Sequence, residues 1–320
     1  MSQATIGVVG LGLLGRGIAA CFLSHGYSVV AYTPTQAEHA TTLSQIDSMM
    51  KELVEKAGFK PEACDPWRRR YKAVTDFAPL ADCEFVVESV PEDAATKEEV
   101  YQSLESVLSP AAVIASNTSA IPIGILQQRR RKPERMVGMH WAEPAHMTRF
   151  VELVRGEKTG DAAFNAAADL ARKLGKDPSL CLKDVPGFIV NRIGYAMYRE
   201  ACHLIDTGVA TPETIDRSIR NTLGLWATLC GPLRWIDLSG GPLLYAKAMR
   251  RVLPTLCNSA EIPASLAKLA AEGARGIVNG HGFYDYTPEE ARYWRELHHR
   301  HAREAQQTID RHFPIQEEIK

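Results

Sequence analysis

Six residues near the start of the chain, Gly10-Leu11-Gly12-Leu13-Leu14-Gly15, constrain the fold more than any other stretch. They follow a short apolar run, Thr5–Val9, and open a helical stretch that ends near Gly26. Each glycine has a physical task in such a turn: a tight bend, close approach of the backbone to a pyrophosphate, and close packing of helix on strand. Between a strand and a helix this spacing predicts dinucleotide binding, with Leu11 and Leu14 in the same turn. The phosphates are then expected against the positive end of the helix.

β-rich runs at 5–9, 28–32, 85–89, 112–116, 136–140 and 150–153 alternate with helical stretches at 14–24, 36–57, 97–108 and 123–130. That alternation is the pattern of a parallel sheet with crossover helices. After Asp184 the pattern changes to helices punctuated by Gly and Pro. The expected fold is therefore α/β: a Rossmann-type doubly wound parallel sheet over 1–184, then a smaller all-α domain over 185–320. The last helix is expected to open at Thr287 with a capping box to Glu290. A formal net charge of −1 gives no general pull toward nucleic acid or anionic membrane. Seven cysteines without a CxxC pair argue against a disulfide framework. No charged leader and no apolar run of about 18 residues is visible, so a cytoplasmic protein is expected.

The second strand, VVAYT, ends at Thr33, where an acidic residue usually bonds the adenosine ribose. Threonine can still bond a hydroxyl, and no arginine follows closely enough to argue for NADP, so NAD is the expected cofactor. Glu92 and Lys97 lie just past a strand's carboxyl end, where ligands bind in open α/β sheets. Both are equally readable as helix-start surface residues. Asn117, Thr118 and Ser119 form a polar turn after the next strand. His140 ends the strand after that, and Glu152 lies on the following one, close enough to orient it. An imidazole held by a carboxylate is a general base of fixed tautomer, which an alcohol needs as it loses hydride. Asn191 stands near the start of the first C-terminal helix.

The stretches GLGLLG, ESVPE, SNTS, GMHW with a following proline, FVEL, PGFIVNR, GPLRWIDLSGG and GFYDY together resemble the 3-hydroxyacyl-CoA dehydrogenase family over about residues 4–286. The resemblance implies an NAD-dependent oxidoreductase interconverting 3-hydroxyacyl-CoA and 3-oxoacyl-CoA, as in fatty acid metabolism. It implies His140 as the base, Glu152 as its holder, and Ser119 and Asn191 as donors to the reacting oxygen. It also implies a homodimer formed through the helical half.

Departures from the family's pattern gather around the cofactor and substrate mouth. Thr33 replaces an acid; Glu143 replaces an asparagine near the nicotinamide end; Val278 replaces a lysine; Arg149 replaces a neutral residue. The run Trp67-Arg68-Arg69-Arg70-Tyr71-Lys72 reads either as a phosphate grip, with Arg68 on substrate, or as a solvated helix face. Arg149 reads either as a clamp on a substrate carboxylate or as a partner of Glu143. Two rivals therefore stand beside the thioester reading. One is the same chemistry on a CoA-free hydroxy acid or alcohol, such as a sugar acid, a carnitine-like acid or a heteroaromatic alcohol. The other is a non-catalytic NAD-binding structural protein. The basic run 129–132 is expected at a helix end, and His298, His299 and His301 on an exposed helix without metal.

Overall fold

The computed structural model describes residues 4–314. Its contacts divide the chain into two units, residues 1–192 and 193–320.

The first unit is built on eight strands: β1 (Thr5–Val9), β2 (Ser28–Tyr32), β3 (Tyr71–Val74), β4 (Phe85–Glu88), β5 (Val113–Ser116), β6 (Met136–Trp141), β7 (Phe150–Val154) and β8 (Asp177–Cys181). They form one sheet in the order β3-β2-β1-β4-β5-β6-β7-β8. Val, Ile and Ala fill the central strands because both faces are covered, and β4, β5 and β6 are buried throughout. Helices α1 (Leu13–Ser24), α2 (Ala37–Ala57), α3 (Pro61–Cys64), α4 (Ala94–Val107), α5 (Ile123–Leu126) and α6 (Asp161–Lys173) connect them. One core cluster gathers α1, α2 and α6 around Ile18, Phe22, Leu53 and Ala167. The other lies under α4, around Tyr101 and Leu104. This is the expected doubly wound architecture. Strand order reverses between β1 and β4, and the carboxyl ends there form the crevice where such sheets bind ligands.

Several details differ from the expectation. Adjacent strands are parallel except β6 and β7, which pair antiparallel. Strands β3 and β8 were outside the expected set, as was helix α6 with its alanine face and its Asp161 and Arg172 placed to complement the dipole. α5 ends at Leu126 rather than at 130, and Arg130 beyond it pairs with Glu98 at 2.5 Å. Residues 65–70 form a 3-10 turn leading into β3. The contact units meet at 192, and segment 185–192 is hydrogen-bonded into the first unit through Glu152 and Ser119.

Helix α7 (Val190–Asp206) carries the chain into the second unit, which holds α8 (Pro212–Asn221), α9 (Leu223–Ala227), α10 (Pro232–Leu238), α11 (Gly241–Val252), α12 (Ala264–Ala271) and α13 (Pro288–His312). Thr287 and Glu290 form the capping box of α13. Among the described residues beyond 192, only Cys202, Cys230 and Ala291 are buried. Leu225, Leu233 and Leu243 are each more than 70% exposed.

Candidate active site

The turn after β1 meets the demands of a dinucleotide cradle. Gly10 adopts φ +92°, and a Cβ there would stand 2.6 Å from the Ser89 carbonyl oxygen. A Cβ on Gly15 would come within 1.9 Å of the Gly10 carbonyl oxygen, so helix and turn can approach only with glycine in place. A Cβ on Gly12 meets nothing within 4 Å, leaving open space beside a helix start that no side chain caps. NAD fits this turn, its pyrophosphate against the first N–H groups of α1. Thr33 is buried, and its N–H donates to the Val74 carbonyl at 3.2 Å.

Past the carboxyl end of β4, Glu92 organises the neighbouring loop. Its Oε1 accepts from the backbone N–H groups of Ser119 at 2.9 Å and Ala120 at 2.8 Å, and from the Thr118 hydroxyl at 2.6 Å. Burial pushes the Glu92 carboxyl up, but the bonds from Thr118 and Ala120 and the charge of Lys97 outweigh it and hold it below its ordinary pKa. Asn117 ties three strand ends together, accepting from Trp141 N–H and donating to Ser89 Oγ. Asn191 donates to the Ser119 carbonyl oxygen at 3.0 Å, so the structure brings these two residues together.

Lys97 does not face a solvent-filled cleft. It is wholly buried, with Nζ 2.7 Å from Glu88 Oε1, and Glu88 also accepts from Tyr101, Ser116 and the Val90 N–H. The helix-start position placed Lys97 near the strand edge, yet its long stem folds back beneath it.

His140 and Glu152 stand directly opposite each other in the antiparallel β6–β7 pair. His140 Nδ1 lies 2.9 Å from Glu152 Oε2, with the imidazole 7% exposed and the glutamate 1%. A carboxylate acceptor assigns the proton to Nδ1 and leaves Nε2 as a proton acceptor. The other carboxylate oxygen accepts the N–H groups of Ile189 at 3.1 Å and Val190 at 2.9 Å, at the start of α7. Phe150 and Phe188 flank the imidazole, their ring centroids 5.9 and 5.8 Å from it. Sequence reading missed Phe188. Its φ of +51° is unusual for a bulky residue, and the adjoining Gly187 was the only local signal of such a turn.

The loop 142–149 joins β6 to β7. Glu143 is exposed on it, and its charge acts on Arg16 of α1. Arg149 pairs with Asp177 at 3.1 Å, which corrects the suggested pairing with Glu143. His146 bonds Glu52 of α2, whose carboxyl this bond pulls down to about 2. Arg68 is engaged by Asp47 and lies over the Trp67 ring, while Arg70 donates to the carbonyls of Leu23 and Ala63. Among the described residues no cluster of metal-ligating side chains occurs, and no helix is long and apolar enough to cross a membrane.

Sheet, glycine turn and the residues grouped at its carboxyl edge are the architecture of NAD-dependent dehydrogenases acting on hydroxyl groups. Residues 5–185 match the model of the 3-hydroxyacyl-CoA dehydrogenase NAD binding domain, and 187–286 that of its C-terminal domain. The chain belongs to the 3-hydroxyacyl-CoA dehydrogenase family. It is 33% identical over 289 residues to 5-formyl-3-hydroxy-2-methylpyridine 4-carboxylate 5-dehydrogenase of Mesorhizobium japonicum, covering 90% of this chain and 92% of that one. A crystal structure of such a 5-dehydrogenase, described as an NAD+ dependent dismutase, superposes with a TM-score of 0.89 at 30% identity, covering 96% and 98%. The (S)-3-hydroxybutyryl-CoA dehydrogenase of Ralstonia eutropha gives a TM-score of 0.74 at 30% identity, covering 89% and 100%.

Proposed function

We propose that this dehydrogenase oxidises an alcohol, or the hydrate of an aldehyde, on a small carboxylic acid that carries no CoA. His140 Nε2 takes the hydroxyl proton, and Glu152 holds the imidazole and stabilises the imidazolium that results. Ser119 and Asn191, joined at one loop, offer fixed donors to the developing oxyanion. Bound NAD supplies the hydride acceptor. The substrate reading is carried by the similarity to the pyridine carboxylate dehydrogenase, whose TM-score of 0.89 stands against 0.74 for the hydroxybutyryl-CoA enzyme. It is supported by the basic run at 67–72, where Arg70 donates to main-chain carbonyls and Arg68 is paired with Asp47 at the surface rather than held for CoA phosphates.

A second reading, 3-hydroxyacyl-CoA oxidation, is favoured by both family models. NADH formation separates the two. Purified enzyme is expected to turn over small aromatic or aliphatic hydroxy acids and formyl acids, and to leave 3-hydroxybutyryl-CoA unchanged. Turnover confined to the thioester would reject the CoA-free reading.

The helical unit supports a homodimer. Three buried residues cannot hold six helices, and covering leucines such as Leu225, Leu233 and Leu243 contributes about 1.5–3 kcal/mol each. Light scattering is expected to show about twice the chain mass of 35.3 kDa; a monomer at micromolar concentration would sink the idea.

A further inference from the structure

Lys176 is a buried cation that the hydride chemistry does not use. Helix α6 ends at Lys173 with Leu174 as its C-cap, Gly175 turns the chain at φ +64°, and Lys176 sends its side chain inward just before β8. It is 2% exposed. Its Nζ donates to the Ala145 carbonyl at 2.6 Å and to the Thr148 carbonyl, and lies 5.1 Å from the centre of the Trp141 ring. Burial pulls the pKa of this ammonium down. A buried ammonium is costly, and this one is matched by the two carbonyls, which would lose this donor without it.

What the ammonium grips is the loop that leaves the catalytic strand. Both carbonyls belong to the turn in which Met147 and Thr148 donate N–H to Pro144, four to eight residues after His140. The same turn rests on the cofactor helix: a Cβ on Gly17 would stand 3.1 Å from the Cβ of Ala145. We propose that Lys176 is a positioning residue that clamps loop 142–149 and thereby fixes the end of β6, with His140, against the cofactor-binding start of α1. The proposal rests on His140 as the base only for its effect on turnover. It acts through main-chain carbonyls, so it is indifferent to the side chains the loop displays.

Lys176→Met keeps the length and removes the donors. The expected result is faster amide hydrogen exchange across 142–149, larger there than in the rest of the sheet. The KM for NAD should rise about tenfold and kcat fall by up to about 10²-fold, the scale on which a misplacement of about 1 Å acts. Lys176→Arg retains two donors and should recover turnover to within about tenfold of wild type. Wild-type kcat, KM and loop exchange in the methionine variant would overturn the proposal. So would failure of that variant to fold, or activity lost only in proportion to folded protein. His140→Ala keeps the two readings apart: turnover persisting there rejects the base, whereas NAD affinity and loop exchange in Lys176→Met report on the clamp whichever group is the base.

Discussion

Replacing His140 by alanine is expected to lower kcat by about 10²–10⁴-fold, the range a positioned acid or base contributes, while leaving the dissociation constant for NAD within about twofold of wild type. The asymmetry follows from geometry. Cofactor recognition is proposed for the turn at Gly10–Gly15 and the N-terminus of α1. The imidazole meets Glu152, Phe150 and Phe188. Removing it also leaves Glu152 Oε2 without its donor, but the second oxygen keeps the N–H groups of Ile189 and Val190, so the start of α7 stays anchored. Steady-state NADH formation and a fluorescence titration with NADH check the two halves separately. Turnover at the wild-type rate rejects the base; loss of cofactor binding means the residue does more than move a proton.

Lys97→Met is expected to cost about 3–5 kcal/mol of stability, the price of breaking a buried ion pair from one side. Glu88 and Lys97 are both fully buried, and four donors converge on the carboxylate: Lys97, Tyr101, Ser116 and the Val90 N–H. Without the ammonium, Glu88 is left fully buried without its cationic partner. Adding Glu88→Gln should restore part of the loss, because it removes the unpaired carboxylate while the amide oxygen can still accept from Tyr101 and Ser116. Urea unfolding of the single and double variants measures both effects. A single variant within about 1 kcal/mol of wild type would reject the ion pair as a source of stability.

The same residue shows where the sequence was legible and where it was not. The glycine turn is readable because each glycine answers a local backbone demand, and β1, β2 and the central strands are readable because apolar residues crowd them. The pairing of His140 with Glu152 is readable because two strands joined by a short connection must lie side by side. Lys97 is not, since a lysine at a helix start looks solvated whatever lies beneath it. Strand β8, read Asp177-Pro178-Ser179-Leu180-Cys181, has little β-branched character and exists because β7 offers it an edge. Strand β3 likewise hides in a basic run whose guanidinium groups close on Asp47 and on main-chain carbonyls. Those partners lie far along the chain, beyond the reach of spacing.

The sheet reverses between β6 and β7, and β8 runs with β7. Because His140 and Glu152 are cross-strand neighbours, their meeting is set by the ladder of main-chain bonds between β6 and β7 and not by the residues that join the two strands. The eight-residue loop from 142 to 149 can therefore exchange side chains, as at Glu143 and Arg149, while the proton-transfer pair stays in register. Substitutions in the loop are thus expected to leave the distance between His140 and Glu152 unchanged.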